Sequence, residues 1–332
     1  MRTPAQIVVI ECPAESPAPA MRLAGMTLLE RHIREARRAG AERVLVRATD
    51  DQLGTLDPAA LDFERLAADA TAPDAELIAG DQLLGITITD APSRRRAEWA
   101  LLQTCRRPYD GPGDKFFIRT FSLRITRALS KTPITPTQVT YLNATIGIVG
   151  CVLAALGGYA GLAGGGICLI ASLVLDSTDG ELARVRHMTS RHGMIVDNVS
   201  DDIVDNGFVL ALGIGVGGPW LWLGLAAACA RWLVAIRTYI EVARLGKAGD
   251  VMAFRWWFES GEDTSMVYAD YTKVLTWARS IGRRDTYCLV FGALCLAGQG
   301  IGAVLLGAGI GGGYFAMLLL HLTLGRTRPG PG

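Results

Sequence analysis

Residues 176–201 read DSTDGELARVRHMTSRHGMIVDNVSD, and a long apolar run lies on each side of this stretch. An apolar run of about 20 residues is long enough for a helix to cross a bilayer, so the stretch should join two membrane helices. Its aspartates then lie where ionisable side chains are costly and are candidates for function. The stretch therefore predicts a membrane domain that carries an acidic site.

The aspartates of this stretch fall on two helical stripes. Asp176 and Asp179 are three residues apart, and Asp197 and Asp201 are four apart. Each spacing places both side chains on one helical face, so two neighbouring antiparallel helices can bring four carboxylates around one point. Such carboxylates repel unless a cation neutralises them, and their oxygens suit magnesium, manganese or calcium. The alternative is that they sit in the aqueous layer and pair with the arginines of the connecting loop.

The same stretch resembles the signature of CDP-alcohol phosphotransferases, D-x2-D-G-x2-A-R-x8-G-x3-D-x3-D. The matching positions are Asp176, Asp179, Gly180, Ala183, Arg184, Gly193, Asp197 and Asp201. The resemblance covers about residues 111–326, and Thr137 departs from it, because relatives often carry Asn there. It implies a transferase that moves a substituted phosphate group from a CDP-alcohol to an acceptor hydroxyl and releases CMP.

The resemblance also implies roles for single residues. The four signature aspartates are expected to hold Mg2+ or Mn2+, as two ions, and Asp201 is also the expected general base. The small residues Gly180 and Ala183 should let the cytidine nucleotide approach the helix, and Arg184 should add positive charge to its phosphates. Gly193 is the fourth expected nucleotide-binding position; it can also let the two helices pack closely.

Other polar residues near the stretch are predicted to have indirect or structural roles. Asp205 lies one turn beyond Asp201 and can support the site, whereas Asp202 should face a basic neighbour. His187 and His192 flank the site, where a lone histidine is usually a solvated loop residue.

Six apolar segments predict a six-helix transmembrane bundle: 137–157, 163–183, 194–216, 219–243, 286–308 and 310–326. The links GGYAGLAGGG, GVGGPW and GAGIGGG carry no charge, whereas arginine and lysine cluster on the other side. Basic loops stay in the cytoplasm. We therefore expect a multi-pass protein of a bacterial or archaeal cytoplasmic membrane, with both termini and the active site cytoplasmic.

A basic amphipathic segment, DKFFIRTFSLRITRALSK (114–131), precedes the first span. Phe117, Phe121 and Ile125 share one helical face while Arg119 and the other basic residues face elsewhere, as in a helix that lies in the membrane interface. The alternative is an ordinary amphipathic helix packed on the soluble domain. A second polar segment, 247–282, can cover the mouth of the site or serve as an interfacial elbow.

The first 110 residues predict a soluble α/β domain. Residues 6–10, 43–47 and 76–79 read as strands and 26–39 as a helix ended by Gly40, which gives a β–α–β opening with a parallel sheet. The pattern is similar to the sugar-nucleotidyltransferase fold, but the segment ECPAESPAPAMRLAG has almost no glycine for a phosphate loop. We therefore expect a degenerate, non-catalytic nucleotidyltransferase-like domain over 1–110, an interfacial helix over 111–136 and a transferase domain over 137–328.

The junction RRPYDGPGDKFFIRTFSLRITRALSKTPITP resembles that of fused inositol-phosphate cytidylyltransferase/di-myo-inositol phosphate phosphate synthases. It implies CDP-inositol as donor and inositol phosphate as acceptor, although a non-catalytic first domain leaves CDP-diacylglycerol open as donor. Arg231 and Arg237 lie inside the fourth span and are candidates to bind an anionic acceptor. The alternative for Arg237 is a pair with Glu241, four residues on.

Other classes of protein remain as alternatives. A transporter or a metal-binding membrane protein also uses acidic spans, but it would favour mid-membrane acids and symmetric repeats. The seven cysteines are scattered singly, which favours neither a zinc site nor a disulfide framework. The expected partners are the donor, the acceptor and the lipid bilayer, with a homodimer and no nucleic acid.

Overall fold

The computed structural model describes residues 7–67, 69–72, 75–107, 110–257, 280 and 282–324. Its residues group into two compact units. The first comprises Met1–Cys105, Arg127–Pro133 and Arg184–His187, and the second comprises Arg106–Thr126, Ile134–Ala183 and Met188–Gly332. Most of the 247–282 segment lies outside the described residues, so its two alternative roles stay open.

The first unit is an α/β fold around a parallel sheet. Its strands are β1 (Ile7–Glu11), β2 (Arg22–Leu23), β3 (Met26–Thr27), β4 (Arg43–Arg47), β5 (Glu64–Arg65), β6 (Glu76–Ala79), β7 (Gln82–Leu83) and β8 (Ile86–Thr87). Its helices are α1 (Leu28–Arg38), α2 (Asp50–Leu53), α3 (Pro58–Leu61) and α4 (Ala91–Gln103). The main sheet has the order β5-β4-β1-β6, and all of its pairings are parallel. The predicted β–α–β opening and the third strand are thereby confirmed.

Local sequence explains the opening unit of this fold. β1 and β4 are continuous apolar runs, and their middle residues are buried, as expected for parallel strands covered on both faces. The side-chain oxygen of Thr27 accepts a hydrogen bond from the backbone N–H of Glu30 and caps α1. Gly40 has a φ of 94°, so it adopts the left-handed conformation that ends the helix.

The rest of the chain is helical. A π-turn (Asp114–Ile118) leads into α5 (Arg119–Leu129), followed by α6 (Pro136–Leu156), α7 (Gly158–Val185), α8 (Arg191–Val216), α9 (Pro219–Arg244), α10 (Arg284–Leu296) and α11 (Gly300–Leu324). Four of these, α6, α7, α9 and α11, are long and apolar enough to cross a membrane. The helix α8 carries too many charges for that criterion, and α10, with 13 residues, is about 20 Å long. These four long apolar helices indicate a membrane protein.

The predicted boundary between the last two spans was wrong. The break falls at residues 297–299, where Gly298 has a φ of 70°, and α11 runs through the glycine-rich segment that was expected to be a link. These glycines serve helix packing instead: a Cβ on Gly307 would lie 2.9 Å from a methyl carbon of Val209, and one on Gly311 would lie 2.9 Å from the carbonyl oxygen of Ala227. The link between the first two spans is likewise shorter than expected, because α7 already begins at Gly158.

Helix α5 forms where an interfacial helix was predicted, but one of its faces differs from the expectation. Phe117 and Phe121 are exposed, as such a helix requires. Arg119, which was expected to face away with the other basic residues, is instead buried. It lies on the inner face with Ser122 and Thr126, and all three side chains donate hydrogen bonds to Glu181. The reason is that the buried carboxylate needs donors, and α5 supplies them.

Candidate active site

The last third of α7 carries the first pair of signature aspartates. Asp176 is half-buried and Asp179 is buried, one turn further along the helix. The hydroxyl of Thr140 on α6 donates a hydrogen bond of 2.6 Å to Oδ2 of Asp179. A bond to a charged acceptor is short and strong, so Thr140 fixes one oxygen of this carboxylate and leaves the other free to face the site.

The first half of α8 carries the second pair. The hydroxyl of Ser190 accepts a hydrogen bond from the backbone N–H of Gly193 and so begins the helix. A Cβ on Gly193 would meet only this hydroxyl, at 3.0 Å, so the expected close approach of two helices at Gly193 was wrong. Asp197 and Asp201 follow on one face of the helix, and the Oδ1 atom of each is buried without a hydrogen-bond partner in the described part of the chain.

Two helices bring the aspartates together. Carboxylate oxygens of Asp176, Asp179 and Asp197 all lie within 4.8 Å of one another. Asp201 is outside this group of three and is joined to it by Arg284, whose Nη1 lies 2.6 Å from Oδ2 of Asp176 and 2.8 Å from Oδ2 of Asp201. Three to four carboxylates at this spacing repel strongly, and unpartnered buried oxygens leave their charge uncompensated.

Arg284 is in turn held by a buried polar network. Its Nε donates to Oδ2 of Asp205 at 3.0 Å, and the hydroxyl of Tyr287 donates to the same oxygen at 2.7 Å. Arg231 donates to Asn206 at 2.6 Å and to the Tyr287 hydroxyl at 2.8 Å. The prediction that Asp205 supports the site is consistent with these contacts, because Asp205 anchors the arginine that contacts Asp176 and Asp201.

The remaining candidate residues have partners outside the group of carboxylates. Arg237 pairs with Glu241, which was the structural alternative for this arginine. Asp202 accepts a hydrogen bond from the Tyr239 hydroxyl, and the charges of Arg231 and Arg284 also act on it. His192 is exposed, as a solvated loop residue should be.

Two of the nucleotide-binding candidates belong to the end of α7. Ala183 and Arg184 are both half-buried in its last turn, one turn beyond Gly180. His187 follows the helix and is held by residues of the first unit, so the expectation of a solvated loop residue was wrong for it.

Sequence reasoning missed three residues that hold this region in place: Thr140, Glu181 and Arg284. Thr140 and Arg284 lie 36 residues before and 108 residues after Asp176, and no local pattern marks either of them. Glu181 lies inside the signature at a variable position, and its only signal was an acid in a membrane helix, which is costly unless paired.

Comparison with known proteins gives the class of protein to which this site belongs. The family model for CDP-alcohol phosphatidyltransferases matches residues 133–308, a little over half of the chain, and includes all the signature positions. The chain therefore belongs to the CDP-alcohol phosphatidyltransferase family, as the signature predicted.

Two curated relatives are similar to part of the chain. Both are named "Bifunctional IPC transferase and DIPP synthase". The protein of Thermococcus kodakarensis is 33% identical over 161 residues, which cover 47% of this chain and 36% of that protein. The protein of Aquifex aeolicus is 34% identical over 113 residues, which cover 33% of this chain and 26% of that protein. The resemblance to fused inositol-phosphate enzymes is thereby confirmed, and the match spans about a third of the relatives' length.

Proposed function

We propose that this protein transfers a substituted phosphate group from a CDP-alcohol to an acceptor hydroxyl and releases CMP. The observation that carries the proposal is the group of three carboxylates from α7 and α8 within 4.8 Å of one another, in a chain of this family. Asp201 lies beside the group and has one oxygen, Oδ1, without a hydrogen-bond partner among the described residues.

The residues present fit a divalent cation. Asp176, Asp179 and Asp197 offer only hard oxygen ligands, and the buried, unpartnered Oδ1 of Asp197 needs a positive partner. We infer that these three aspartates together with Asp201 hold Mg2+ or Mn2+, as two ions. Ions held by these residues would bind the pyrophosphate of the donor and would offset the negative charge that develops on the reacting phosphoryl group.

Residues of the chain then bind the donor and move the proton. Gly180, Ala183 and Gly193 lack bulk and let the cytidine nucleotide approach the helices, and the fixed charge of Arg184 binds its phosphates. Asp201 takes the proton of the acceptor hydroxyl. The acceptor oxygen forms a bond to the β-phosphorus, the bond from that phosphorus to the bridging oxygen breaks, and CMP leaves with the electron pair.

The first unit supports stability or regulation in this proposal and does no chemistry. Open α/β sheets bind ligands at the carboxyl ends of their strands where the strand order reverses, which here is between β1 and β6. At that point the backbone N–H of Gly80 donates to the carbonyl of Glu11 at 2.7 Å, and a Cβ on Gly80 would lie 2.5 Å from Sγ of Cys12. Gln52 further holds the segment after β1 by donating to the carbonyls of Pro13 and Ser16. This tight closure, without a glycine-rich loop, supports a degenerate nucleotidyltransferase-like domain over 1–110.

The substrates follow from the relatives' names and from the resemblance at the junction. We infer CDP-inositol as donor and inositol phosphate as acceptor, made into an inositol phosphodiester. CDP-diacylglycerol is the alternative donor, because a non-catalytic first domain cannot supply CDP-inositol. Arg237 is the better acceptor candidate, since Arg231 is buried and already bonds Asn206 and Tyr287, whereas Arg237 is partly exposed.

The proposal includes a six-span membrane domain over 137–328, an interfacial helix over 111–136, a homodimer, and termini and active site on the cytoplasmic side. The exposed Phe117 and Phe121 on α5 support an interfacial helix, and the long apolar helices support the spans. A metal-binding membrane protein or a transporter is the second candidate, because the acidic group alone would also suit a bound cation.

The test is a product assay on the full chain in lipid nanodiscs. CDP-inositol and CDP-diacylglycerol are each offered with inositol phosphate and other alcohols in the presence of Mg2+, and CMP and the phosphodiester product are measured by mass spectrometry. We expect CMP with one donor, no product after chelation of the metal, and a loss of at least about 1,000-fold in Asp201→Asn, since the general base and a metal ligand are removed together. Asp202→Asn is the matched control and should retain activity, because the hydrogen-bond partner of Asp202 is the Tyr239 hydroxyl. Wild-type protein that releases no CMP from either donor, yet binds Mg2+, would favour the second candidate.

A further inference from the structure

The first unit contains a buried arginine that the proposed chemistry does not use. Arg31 lies on α1, is 1% exposed, and is the largest fully buried side chain among the described residues. Within the described residues Arg31 forms no close ion pair, and the charges of Glu35 and Glu30 act on it only from a greater distance, although a buried charge normally requires a direct partner. Its partners are the carbonyl of Val185 at 2.9 Å, the carbonyl of Leu23 at 3.2 Å and Nε2 of His187 at 3.4 Å. An apolar residue would fill this position at lower cost, so the charge needs an explanation.

The explanation lies in what Arg31 contacts. Val185 is the last residue of α7, and Arg38, two turns further along α1, donates to the carbonyl of His187 at 2.9 Å. The last carbonyls of a helix have no partner within the helix and carry the negative end of its dipole. Two arginines of α1 therefore cap the carboxyl end of α7, within the compact unit to which residues 184–187 belong.

The backbone at this end of α7 is strained. His187 has a φ of +55°, the left-handed conformation that glycine adopts easily and a histidine adopts reluctantly. The N–H of His187 donates to the carbonyl of Arg184 at 3.1 Å, and the N–H of Met188 donates to the carbonyl of Ala183 at 2.8 Å. These two bonds form the usual closure of a helix end and tie the conformation of His187 to the carbonyls of Ala183 and Arg184 in the last turn.

The second helix end in this unit is held in the same way. Arg186 donates to the carbonyl of Leu129, the last residue of α5, and to the carbonyl of Thr132, which follows the helix. Gly25, in the turn that precedes α1, lies so close that a Cβ would be 2.6 Å from the carbonyl of Ser130. Residues of α1 and of the turn that contains Gly25 thus contact residues 185–187. These contacts hold the backbone of the segment that follows Arg184.

We propose that Arg31 is a positioning residue for the transferase reaction: by capping α7 and holding His187 in its left-handed conformation, it fixes the backbone that carries Arg184. This inference rests on the proposed function, in which Arg184 binds the donor phosphates. It gives the first unit a task that needs no nucleotide chemistry of its own.

The first measurement needs no substrate. Amide hydrogen exchange is followed at residues 184–188 of the full chain in nanodiscs, for wild type, Arg31→Gln and the control Arg34→Gln. Arg34 is on the same helix but partly exposed, and it pairs with Glu30. We expect exchange at 184–188 to become about tenfold faster in Arg31→Gln, as the loss of a charge-assisted hydrogen bond implies, and to stay unchanged in Arg34→Gln. Equal exchange in the two variants, or a rise that extends to the amides of β1, would overturn the proposal, because the second result reports general unfolding.

The second measurement links the cap to Arg184. In the CMP-release assay, Arg31→Gln should lower kcat/KM for the donor about tenfold in the wild-type background and by less than about twofold in an Arg184→Gln background, since residues that act through one another are not additive. His187→Gly, which relaxes the strained conformation, should restore at least about a third of the lost activity to Arg31→Gln. Equal losses in both backgrounds would refute the positioning role. A wild type that releases no CMP refutes the proposed function instead, and the exchange result distinguishes the two failures.

Discussion

Nη1 of Arg284 lies 2.8 Å from Oδ2 of Asp201. The same nitrogen lies 2.6 Å from Oδ2 of Asp176. The guanidinium of Arg284 therefore links Asp201, the proposed base, to Asp176, a proposed metal ligand. Because Oδ2 of Asp201 is held in this way, Oδ1 is the oxygen left to accept a proton or a metal ion. Arg284 therefore orients the carboxylate as well as offsetting its charge.

Replacement of Arg284 should separate kcat from metal affinity. In Arg284→Gln we expect kcat to fall by about 30-fold or more, because a misplaced catalytic group loses its orientation. The Mg2+ concentration for half-maximal activity should stay the same or fall, since a positive charge next to the carboxylates has been removed. CMP release measured over a Mg2+ titration gives both quantities.

Two variants make this prediction specific. Arg284→Lys keeps the charge but loses the fork that reaches Asp176, Asp201 and Asp205 together, so its kcat should be intermediate. Arg244→Gln removes an exposed arginine at the end of α9 and should change neither quantity. A higher Mg2+ requirement with unchanged kcat in Arg284→Gln would contradict the orienting role.

The hydroxyl of Thr140 should matter for the metal ligand Asp179. Thr140→Val keeps the shape of the side chain and removes the 2.6 Å donor to Asp179, so we expect about a 10-fold to 100-fold loss of kcat/KM, the value of one charge-assisted hydrogen bond. Thr140→Ser should restore most of it. Thr145→Val, on the same helix but exposed and bonded only to the carbonyl of Tyr141, is the matched control in the same assay. Equal activity of the two valine variants would show that Asp179 needs no such donor.

The signature and the apolar runs beside it were sufficient to predict the acidic group and the membrane domain that carries it. Asp176 and Asp179 share one face of α7, as their spacing predicts. They lie close to Asp197 of α8, the next helix in the sequence. Arg284 could not be found in this way, since its place depends on how α10 packs against α8. The residues around Arg284 in the sequence do not indicate such a long-range contact.

The glycine-rich run led to the wrong boundary between the last two predicted spans. A run such as GAGIGGG is typical of a link in soluble proteins, but in a membrane helix small residues let neighbouring backbones approach. Gly311, against the carbonyl of Ala227, shows this use. The sheet of the first unit was easier to predict, because a buried parallel strand reads as a continuous apolar run.

The buried Glu181 should be a main source of stability in the second unit. It is fully buried and accepts hydrogen bonds of 2.6 Å from Arg119, Ser122 and Thr126, and Arg119 also pairs with Asp110. Glu181→Gln removes the buried negative charge that faces Arg119 and replaces the oxygen that accepts from Thr126 with an N–H donor, so we expect a loss of about 3–5 kcal/mol of unfolding free energy. Glu241→Gln breaks a partly exposed pair within α9 and should cost about 0.3–0.5 kcal/mol. Thermal unfolding in detergent compares the two; similar Tm values would exclude a structural role for the Glu181 network.

The end of α7 should weaken in mild acid, because His187 must stay neutral. Burial, and then the charges of Arg31, Arg38 and Arg34, lower the pKa of His187 from 6.5 to about 4. A group whose pKa is lowered by folding binds fewer protons in the folded state, so its stabilising effect is complete above about pH 6.5 and is lost as the pH falls through about 4. Burial raises the pKa of the neighbouring Glu35, an effect of opposite sign, so the measured quantity is the difference between wild type and His187→Asn.

Asparagine suits this position, because it is neutral at every pH and tolerates the left-handed conformation. Between pH 7 and pH 5, wild type should lose about 1 kcal/mol of protection at the amides of 184–188 relative to His187→Asn, after correction for intrinsic exchange, because solvent at the partly exposed ring screens part of the effect. His192→Asn, at an exposed histidine in the first turn of α8, should behave as wild type. Parallel pH profiles for wild type and His187→Asn would mean that the ring of His187 takes up its proton without disturbing the cap, and that Arg31 holds α7 through the carbonyl of Val185 alone.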